Sequence, residues 1–424
     1  MEKSLNFYYR LFFLLFGSLF VNFHRTCRMM KQKIRSILNG TEGLKAVRKN
    51  ALIHIFTLFI ALPGRINFLA MARHGRFSEK TYRNHFEKKF DFFNFNKQLA
   101  EHFCSPHRIL AGDCSFIPKA GKRTPHVAKF WSGCASKSLP GLEISSLAVI
   151  DLEANTAFHL ECEQTPGTLP DNESRIDFYV NQVISRAQEL KKIADYFVYD
   201  GAAAKKKFVD GIVDNTELHL VSKFPKNANM RYLYTGPRKP GPGRPRQYDG
   251  KIRWKKLETD RFDACYEDDE IIIYTAVVNS VLLKCNVRIA YIYKKCSDSY
   301  AILFSTDMSL DGFLIYKYYK ARFQIEFLFR DAKQYTGLTH CQARSENKLY
   351  FHFNSSLTAV SVAKADFYDS AENQGTPFSM RDITDYYSAK LFLDRILSKL
   401  DIELVSDKFN FDYEELLKTA AALA

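Results

Sequence analysis

The sequence lacks the cysteine pattern of a disulfide-stabilised or zinc-binding protein. Its nine cysteines are odd in number and scattered along 424 residues, and none forms a Cys-x-x-Cys pair. A disulfide framework or a zinc ribbon needs regular, paired spacing. We therefore expect reduced thiols and a cytoplasmic protein.

The sequence also lacks an apolar segment long enough to cross a membrane. The run Leu11–Val21 follows Lys3 and Arg10, as in a signal peptide, but no small-residue cleavage site follows it. A membrane span needs about 20 apolar residues. Because Met29 begins a lysine-rich segment, residues 1–28 are expected to be a spurious extension, a membrane-associated segment or an extra packing helix.

What the sequence does have is the composition of a globular protein and a large positive charge. Hydrophobic residues make up 46% and charged residues 25% of the chain, which excludes a disordered or fibrous protein. The net charge of +14 favours a polyanion such as nucleic acid or an anionic membrane. The length predicts about two or three domains.

Residues 29–104 are predicted to be helical. An apolar helix over Ala51–Leu62 ends at Pro63, and Ser78 can cap a basic helix over Glu79–Phe90. Three short helices of this kind form either a helix-turn-helix-like DNA-binding region or a helical cap on a catalytic core. Both interpretations remain open from the sequence.

From residue 105 the pattern becomes that of strands. The strands Arg108–Ile117, Leu142–Asp151 and Thr156–Glu163 precede a helix over Ser174–Ala194 and a buried strand over Tyr196–Tyr199. Acidic residues stand near the strand ends. This order resembles the start of a ribonuclease H-like α/β fold.

Residues 211–305 are predicted to form a mainly β insertion. Its expected strands are Leu218–Phe224, Ile271–Val278, Val287–Tyr293 and Tyr300–Ser305. Between them, Thr235–Lys256 is rich in glycine, proline and basic residues, including Arg244 and Arg246. This segment is either a flexible linker or, as its charge favours, a contact with DNA. Trp254 in the same region is expected to be packed.

A helix near residue 326 carries a fixed set of polar residues. At about 100° per residue, Tyr319, Arg322 and Lys333 lie within about 40° of Glu326, so the four share one stripe. The opposite face is apolar. On helical spacing alone, an exposed ladder of ion pairs is the better interpretation.

The literal pattern Tyr-x2-Arg-x3-Glu-x6-Lys resembles the signature of the DDE transposases of bacterial insertion sequences. The resemblance covers residues 105 to 345. It includes Ala-Gly-Asp-Cys-Ser-Phe at 111–116, Val-Tyr-Asp-Gly at 198–201 and Ser-Thr-Asp at 305–307.

The resemblance implies an architecture and a set of site residues. It implies a ribonuclease H-like catalytic core over 105–210 and 306–345, interrupted by the β insertion and followed by a helical C-terminal region over 346–424. Asp113, Asp200 and Glu326 match the catalytic metal ligands, and Tyr319, Arg322 and Lys333 match residues that hold the DNA backbone. The implied cofactor is Mg²⁺, with Mn²⁺ as a substitute, since hard cations prefer oxygen ligands.

Residue type alone does not select these acids. Four other acids, Asp151, Asp195, Asp210 and Glu143, also lie near strand ends. The loop after Asp113 carries Lys119, Lys122 and Arg123, which we expect to contact DNA.

The function implied is metal-dependent cleavage at transposon ends followed by strand transfer into target DNA. The expected partners are the terminal inverted repeats, the target DNA and a second copy of the chain within the DNA complex. We expect a bacterial cytoplasmic protein that joins the nucleoid when bound to DNA, with no stable membrane partner. Two alternatives are a structure-specific nuclease of the same fold and a catalytically inactive DNA-binding descendant.

Overall fold

A computed structural model describes residues 32–41, 43–238, 244–297, 299–369 and 376–399. The predictions for residues 1–28, for part of the Gly/Pro-rich segment and for the last residues of the C-terminal region lie outside the described residues. Within the described residues, every cysteine is a free thiol and no helix is long and apolar enough to cross a membrane.

The N-terminal region is helical, as predicted, but its helices are packed into the body of the protein. They are α1 (32–40), α2 (Ala46–Ala61), α3 (Phe68–His74), α4 (Glu79–Glu87) and α5 (Phe92–Phe103). The side chain of Ser78 accepts a hydrogen bond from the backbone of Thr81 and so caps α4, as the sequence predicted. Helix α2 is buried on most of its surface, whereas Lys80 and Arg83 on α4 stay exposed.

The part of the chain that the structure describes contains one sheet of 12 strands. Its strands are β1 (Arg108–Pro118), β2 (Ala128–Ser132), β3 (Lys137–Asp151), β4 (Thr156–Gln164), β5 (Tyr196–Val198), β6 (His219–Phe224), β7 (Met230–Leu233), β8 (Tyr248–Lys251), β9 (Asp263–Glu267), β10 (Ile271–Ser280), β11 (Cys285–Lys294) and β12 (Ser299–Ser305). Strand β1 pairs antiparallel with β3 and parallel with β5, and β6 continues parallel to β5. The predicted hairpin of β3 and β4 is present, with Asn155 of its turn at a φ of 47°.

The strands predicted for the β insertion form, but they continue the same sheet. Strand β12 pairs with β6, and β11, β10 and β7 follow in order. Three short strands, β7, β8 and β9, were not predicted, and β8 lies inside the basic segment that the sequence assigned to no core element. Trp254 is packed, as predicted: its Nε1 donates to the carbonyl of Ala228 at 2.6 Å.

The predicted single helix over 174–194 is instead two helices, α6 (Arg175–Ile184) and α7 (Ala187–Lys191). The remaining helices are α8 (Lys206–Asn215), α9 (Gly312–Ala321), α10 (Gln324–Gln334), α11 (Glu346–Tyr368) and α12 (Met380–Lys399). Helix α11 is buried along most of its length and packs between β4 and the N-terminal helices α2, α4 and α5. It therefore joins the helical layer to the sheet that carries the acids.

Candidate active site

Asp113 lies near the middle of β1, beyond the point where β5 stops pairing with it. Leu110 and Ala111 are the β1 residues that pair with β5, so among the described strands none pairs with the next residues of β1 on that side. Gly112 permits the close approach of Phe197 and Tyr199, since a Cβ there would lie 2.7 Å from the Phe197 ring. The sheet thus opens beside Asp113, whose side chain is 18% exposed.

Asp200 follows the end of β5 by two residues and lies at the same opening. Its side chain accepts a hydrogen bond from the backbone of Ala202 at 2.9 Å, which fixes the turn after the strand. The hydroxyl of Ser222 on β6 donates to the backbone carbonyl of Asp200 at 2.6 Å. The backbone on both sides of this acid is therefore held in place.

The helix predicted around Glu326 is not one helix: α9 ends at Ala321 and α10 begins at Gln324. Arg322 and Phe323 between them keep helical dihedral angles, but the backbone amide of Glu326 bonds three residues back, to Phe323, rather than four. This tighter turn leaves Phe323 exposed and directs Arg322 inward. The predicted apolar face is buried, including Ile325 and Leu328.

Arg322 joins two of the predicted acids. Its Nη1 donates to Asp113 Oδ2 at 3.1 Å, and its Nη2 donates to Glu326 Oε1 at 2.7 Å. The Arg322 side chain is only 12% exposed, whereas that of Glu326 is 39% exposed. One guanidinium therefore holds an acid of the sheet and an acid of α10 together.

Electrostatics couple all three acids. The pKa of Asp113 is raised to about 6, mainly by burial; Arg322 and the backbone amide of Cys114 lower it, and the charges of Asp200 and Glu326 raise it. The pKa of Arg322 is itself raised by Asp113, Tyr319 and Glu326 against the effect of burial. A concentration of negative charge in a partly buried site favours the binding of cations.

The donor atoms fit a hard divalent cation, but their present spacing does not. Carboxylate oxygens are the ligands that Mg²⁺ and Mn²⁺ prefer. Among the described residues, no three histidine, cysteine or acidic side chains stand close enough together to hold one ion. In this arrangement Arg322 supplies the positive charge that Asp113 and Glu326 require.

The other two signature residues flank this group. The Arg322 guanidinium lies over the Tyr319 ring, 5.8 Å from its centroid. Burial lowers the pKa of Lys333, and the charges of Cys134 and Asp113 act in the opposite direction. All four residues of the sequence pattern thus lie around one opening of the sheet.

The sequence matches the model of one known protein family. A sequence model described as "Transposase DDE domain" matches residues 121–361, which is more than half of the chain. The chain belongs to this family. The matched region includes Asp200 and Glu326, and it begins eight residues after Asp113.

The sequence was also compared with curated proteins and with solved structures. No curated protein matches this sequence. A solved structure of the piggyBac transposase synaptic complex with hairpin DNA is similar at a TM-score of 0.39 and 11% identity, over 91% of this chain and 80% of that chain. At this TM-score the similarity does not establish a shared fold.

In this transposase, the basic residues that the sequence assigned to DNA binding differ in their exposure and in their hydrogen-bond partners. Lys122 and Arg123 are exposed, whereas Lys119 is partly buried and donates to the backbone carbonyl of Cys341. Arg244 donates to Gln247, and Arg246 is exposed and paired with Asp249. In this structure Lys119 therefore connects the loop after β1 to the segment after α10.

The acids that compete with Asp113 and Asp200 have local partners. Asp151 accepts hydrogen bonds from Ser105 and from the backbone of the β3–β4 turn. Glu143 accepts from Tyr179 at 2.6 Å, and Asp210 pairs with Lys206. These contacts are typical of residues that stabilise turns and helices.

Sequence reasoning missed a polar cavity on another side of α10. Its lining includes Phe327 and Arg330 of α10 together with Lys364 of α11. The sequence of α11 gives little sign of it, because a lysine in a helix is usually exposed. The one available signal was that Lys364 stands in an otherwise apolar and small-residue stretch.

Proposed function

We propose that the chain is a cut-and-paste DNA transposase of the insertion-sequence type, with a ribonuclease H-like core interrupted by the β insertion. The order β4-β3-β1-β5-β6, with β5 and β6 parallel to β1, supports this core. In the proposal, residues 105–210 and 306–345 form the core and 211–305 the insertion. The protein acts on the nucleoid of a bacterial cell.

The main support for the proposal is that the Arg322 side chain contacts both Asp113 and Glu326. These residues come from distant parts of the sequence, yet one guanidinium contacts both carboxylates. Asp200 lies close enough for its charge to raise the pKa of Asp113. The pattern of residues that the family resemblance selects thus coincides with a group of coupled acids.

In the proposed reaction, Asp113, Asp200 and Glu326 hold divalent ions, Mg²⁺ or Mn²⁺. When bound, such ions activate water or a 3′-hydroxyl and stabilise the leaving 3′-oxygen. Asp113 and Asp200 are fixed by the sheet and its turns, whereas Glu326 on α10 is more exposed. The two aspartates therefore provide the rigid side of the site.

In this mechanism Arg322 can bind either the two carboxylates or a DNA phosphate. To share an ion, Asp113 and Glu326 must release the guanidinium that now neutralises them. A DNA phosphate accepts the same two parallel hydrogen bonds from arginine as a carboxylate does. Arrival of the scissile strand would thus draw Arg322 from the acids to the phosphate, while Lys333 adds a second positive charge beside it.

The remaining basic residues would hold DNA at a distance from the chemistry. Lys122, Arg123 and Arg246 are exposed, and Lys80 and Arg83 on α4 offer a second positive surface. Contacts of this kind position the duplex without reading its sequence. Two transposon ends must meet in one complex, so we propose that two copies of the chain act together on DNA.

The test is a Mg²⁺-dependent assay with the wild-type protein and linear DNA that carries the element's own terminal inverted repeats. A transposase releases these ends and joins them to a second DNA. Efficient cleavage of any branched DNA without joining would identify the nuclease instead. Specific binding with neither reaction would identify an inactive DNA-binding descendant.

A further inference from the structure

A cavity of about 670 Å³ lies beside α10, separate from the group of acids. Its walls come from α10, the second half of α11, the β3–β4 turn and the start of α12. Phe327 and Arg330 reach it from α10, and Lys364 reaches it from α11. A volume of several hundred Å³ is typical of a site for a small molecule or a single nucleotide.

Lys364 is a buried ammonium group. It is 2% exposed, donates a hydrogen bond to the carbonyl of Ala157 at 2.9 Å, and lies 5.7 Å from the centroid of the Phe378 ring. Lysine has three N–H donors, and a buried charge is costly unless it is paired. Asp331 is the carboxylate of the lining, but Arg330 already holds it, with Nε and Nη2 at 3.1 and 2.9 Å.

The lining carries more positive than negative charge. Among the described residues, the cavity is lined by Arg330, Lys364 and Arg381 and by one carboxylate, that of Asp331. Arg381 stands at the start of α12 with its side chain 70% exposed. An anion entering the cavity would therefore meet Arg381 at the mouth and Lys364 at the floor.

Aromatic rings also line the cavity. Phe327 lies under the Arg330 guanidinium at 4.6 Å, and Tyr368 is stacked on Phe378 with their centroids 6.3 Å apart. Flat apolar rings beside cationic groups are the combination that holds a base and its phosphate. Phosphate alone would not require the rings, and an apolar ligand would not require Lys364.

We propose that this cavity binds a nucleotide, with Lys364 and Arg381 holding its phosphate and Phe327 in contact with its base. The nucleotide can belong to a DNA strand or be free in solution, since both present the same chemistry. The inference does not depend on the metal-dependent reaction, because none of the three acids lines the cavity.

The test measures binding by titration calorimetry with the full-length protein in EDTA, so that no metal chemistry contributes. The probes are thymidine, thymidine monophosphate and a five-residue oligothymidylate. The variants are Lys364→Met, which keeps the side-chain volume, and Arg381→Gln. Lys191→Gln is the matched control: like Arg381, Lys191 forms a pair with an acid four residues later, but it lies outside the cavity.

We expect the phosphate-bearing probes to bind better than thymidine, and each cavity variant to weaken their binding roughly tenfold or more. Lys191→Gln should bind like wild type. Tighter binding of the oligothymidylate than of the monophosphate, lost in Lys364→Met, assigns the site to a DNA strand. Equal binding of the two assigns it to a free nucleotide.

Three results would overturn the proposal: no saturable binding of any probe, equal binding of thymidine and its monophosphate, or unchanged binding by both cavity variants. Circular dichroism and thermal melting establish that each variant is folded. If Lys364→Met does not fold, Arg381→Gln decides the matter, because its side chain is exposed and its loss leaves the core intact.

Discussion

Arg322 and Asp113 are 209 residues apart in sequence, and their side chains meet at 3.1 Å, Nη1 to Oδ2. The same guanidinium also holds Glu326 at 2.7 Å. The cation between these two carboxylates therefore belongs to the protein itself before any metal binds. This contact makes the stability of the metal-free protein and its affinity for metal interdependent.

The first prediction concerns Arg322→Gln. Without the guanidinium, Asp113 and Glu326 repel each other, so in EDTA we expect the free energy of unfolding to fall by roughly 1–3 kcal/mol. Mg²⁺ should raise the melting temperature of the variant more than that of wild type, because no side chain competes for the carboxylates. Lys320→Gln, which removes an exposed cation two residues earlier, is the control; equal responses of all three proteins would refute the competition.

The second prediction concerns the pH dependence of the metal-free protein. Burial raises the pKa of Asp113 from 3.8 to about 6, so the folded protein keeps this proton over a range in which the unfolded chain has lost it. The Asp113 contribution to stability therefore falls as pH rises from about 4 to about 6. Asp113→Asn lacks this fall, and its stability relative to wild type should increase by about 1–3 kcal/mol over that range.

Denaturant unfolding in EDTA at pH 4 and pH 7 measures this difference. A stability difference between Asp113→Asn and wild type that is the same at both values would show that Asp113 ionises normally. Added Mg²⁺ should stabilise wild type at pH 7 and have less effect on the variant, which lacks the charge of one proposed ligand.

The third prediction concerns Gly112, beside Asp113. A Cβ at this position would lie 2.7 Å from the Phe197 ring and 2.9 Å from the Tyr199 ring. Gly112→Ala must displace these rings, and we expect a loss of roughly 1–3 kcal/mol in thermal unfolding together with weaker Mn²⁺ binding. Gly133→Ala adds the same methyl group where no atom lies within 4 Å, so it should change neither property.

The fourth prediction concerns Lys364. Burial lowers its pKa from 10.5 to about 8, with the charges of Asp331, Arg330 and Cys104 as lesser influences. Between pH 8 and 10.5 the unfolded chain holds more protons at this residue, so the Lys364 contribution to stability increases as pH rises. In the folded protein the Cys104 thiol stays protonated within that range, since burial raises its pKa to about 12, and its contribution is common to wild type and the Lys364 variant.

Lys364→Met lacks this gain, so wild type should become more stable relative to the variant by about 3 kcal/mol across the interval. Unfolding curves at pH 7.5 and pH 10 for wild type, Lys364→Met and Lys191→Gln measure it. A difference that does not depend on pH would mean that Lys364 is not buried as a charged group.

The sequence predicted local features of the site better than distant ones. The pair of Arg322 and Glu326 follows from helical spacing, because residues four apart share a face. The break between α9 and α10 was not predicted, since the backbone keeps helical dihedral angles through it and no proline or glycine marks it. The break between α6 and α7 is likewise unmarked by proline or glycine, although there the backbone leaves helical dihedral angles at Arg186, with φ −118° and ψ 12°.

The contact of Asp113 with Arg322 and the cavity at Lys364 could not be read from the sequence. Asp113 was selected over Asp151 by family resemblance alone, and only the pairing of β1 with β5 shows which acid faces the opening. The burial of Lys364 depends on β4 and on the start of α12, which are distant in sequence. Such contacts depend on tertiary packing rather than on local pattern.

The most direct test of the proposed chemistry compares wild type with Glu326→Gln on DNA bearing the element's terminal repeats. Glutamine keeps the shape of the side chain and its ability to accept a hydrogen bond from Arg322, but it loses the charge. We expect both proteins to bind the ends in Mg²⁺, and only wild type to cleave them and join them to target DNA. Full cleavage and joining by Glu326→Gln would contradict the assignment of Glu326 as a catalytic metal ligand.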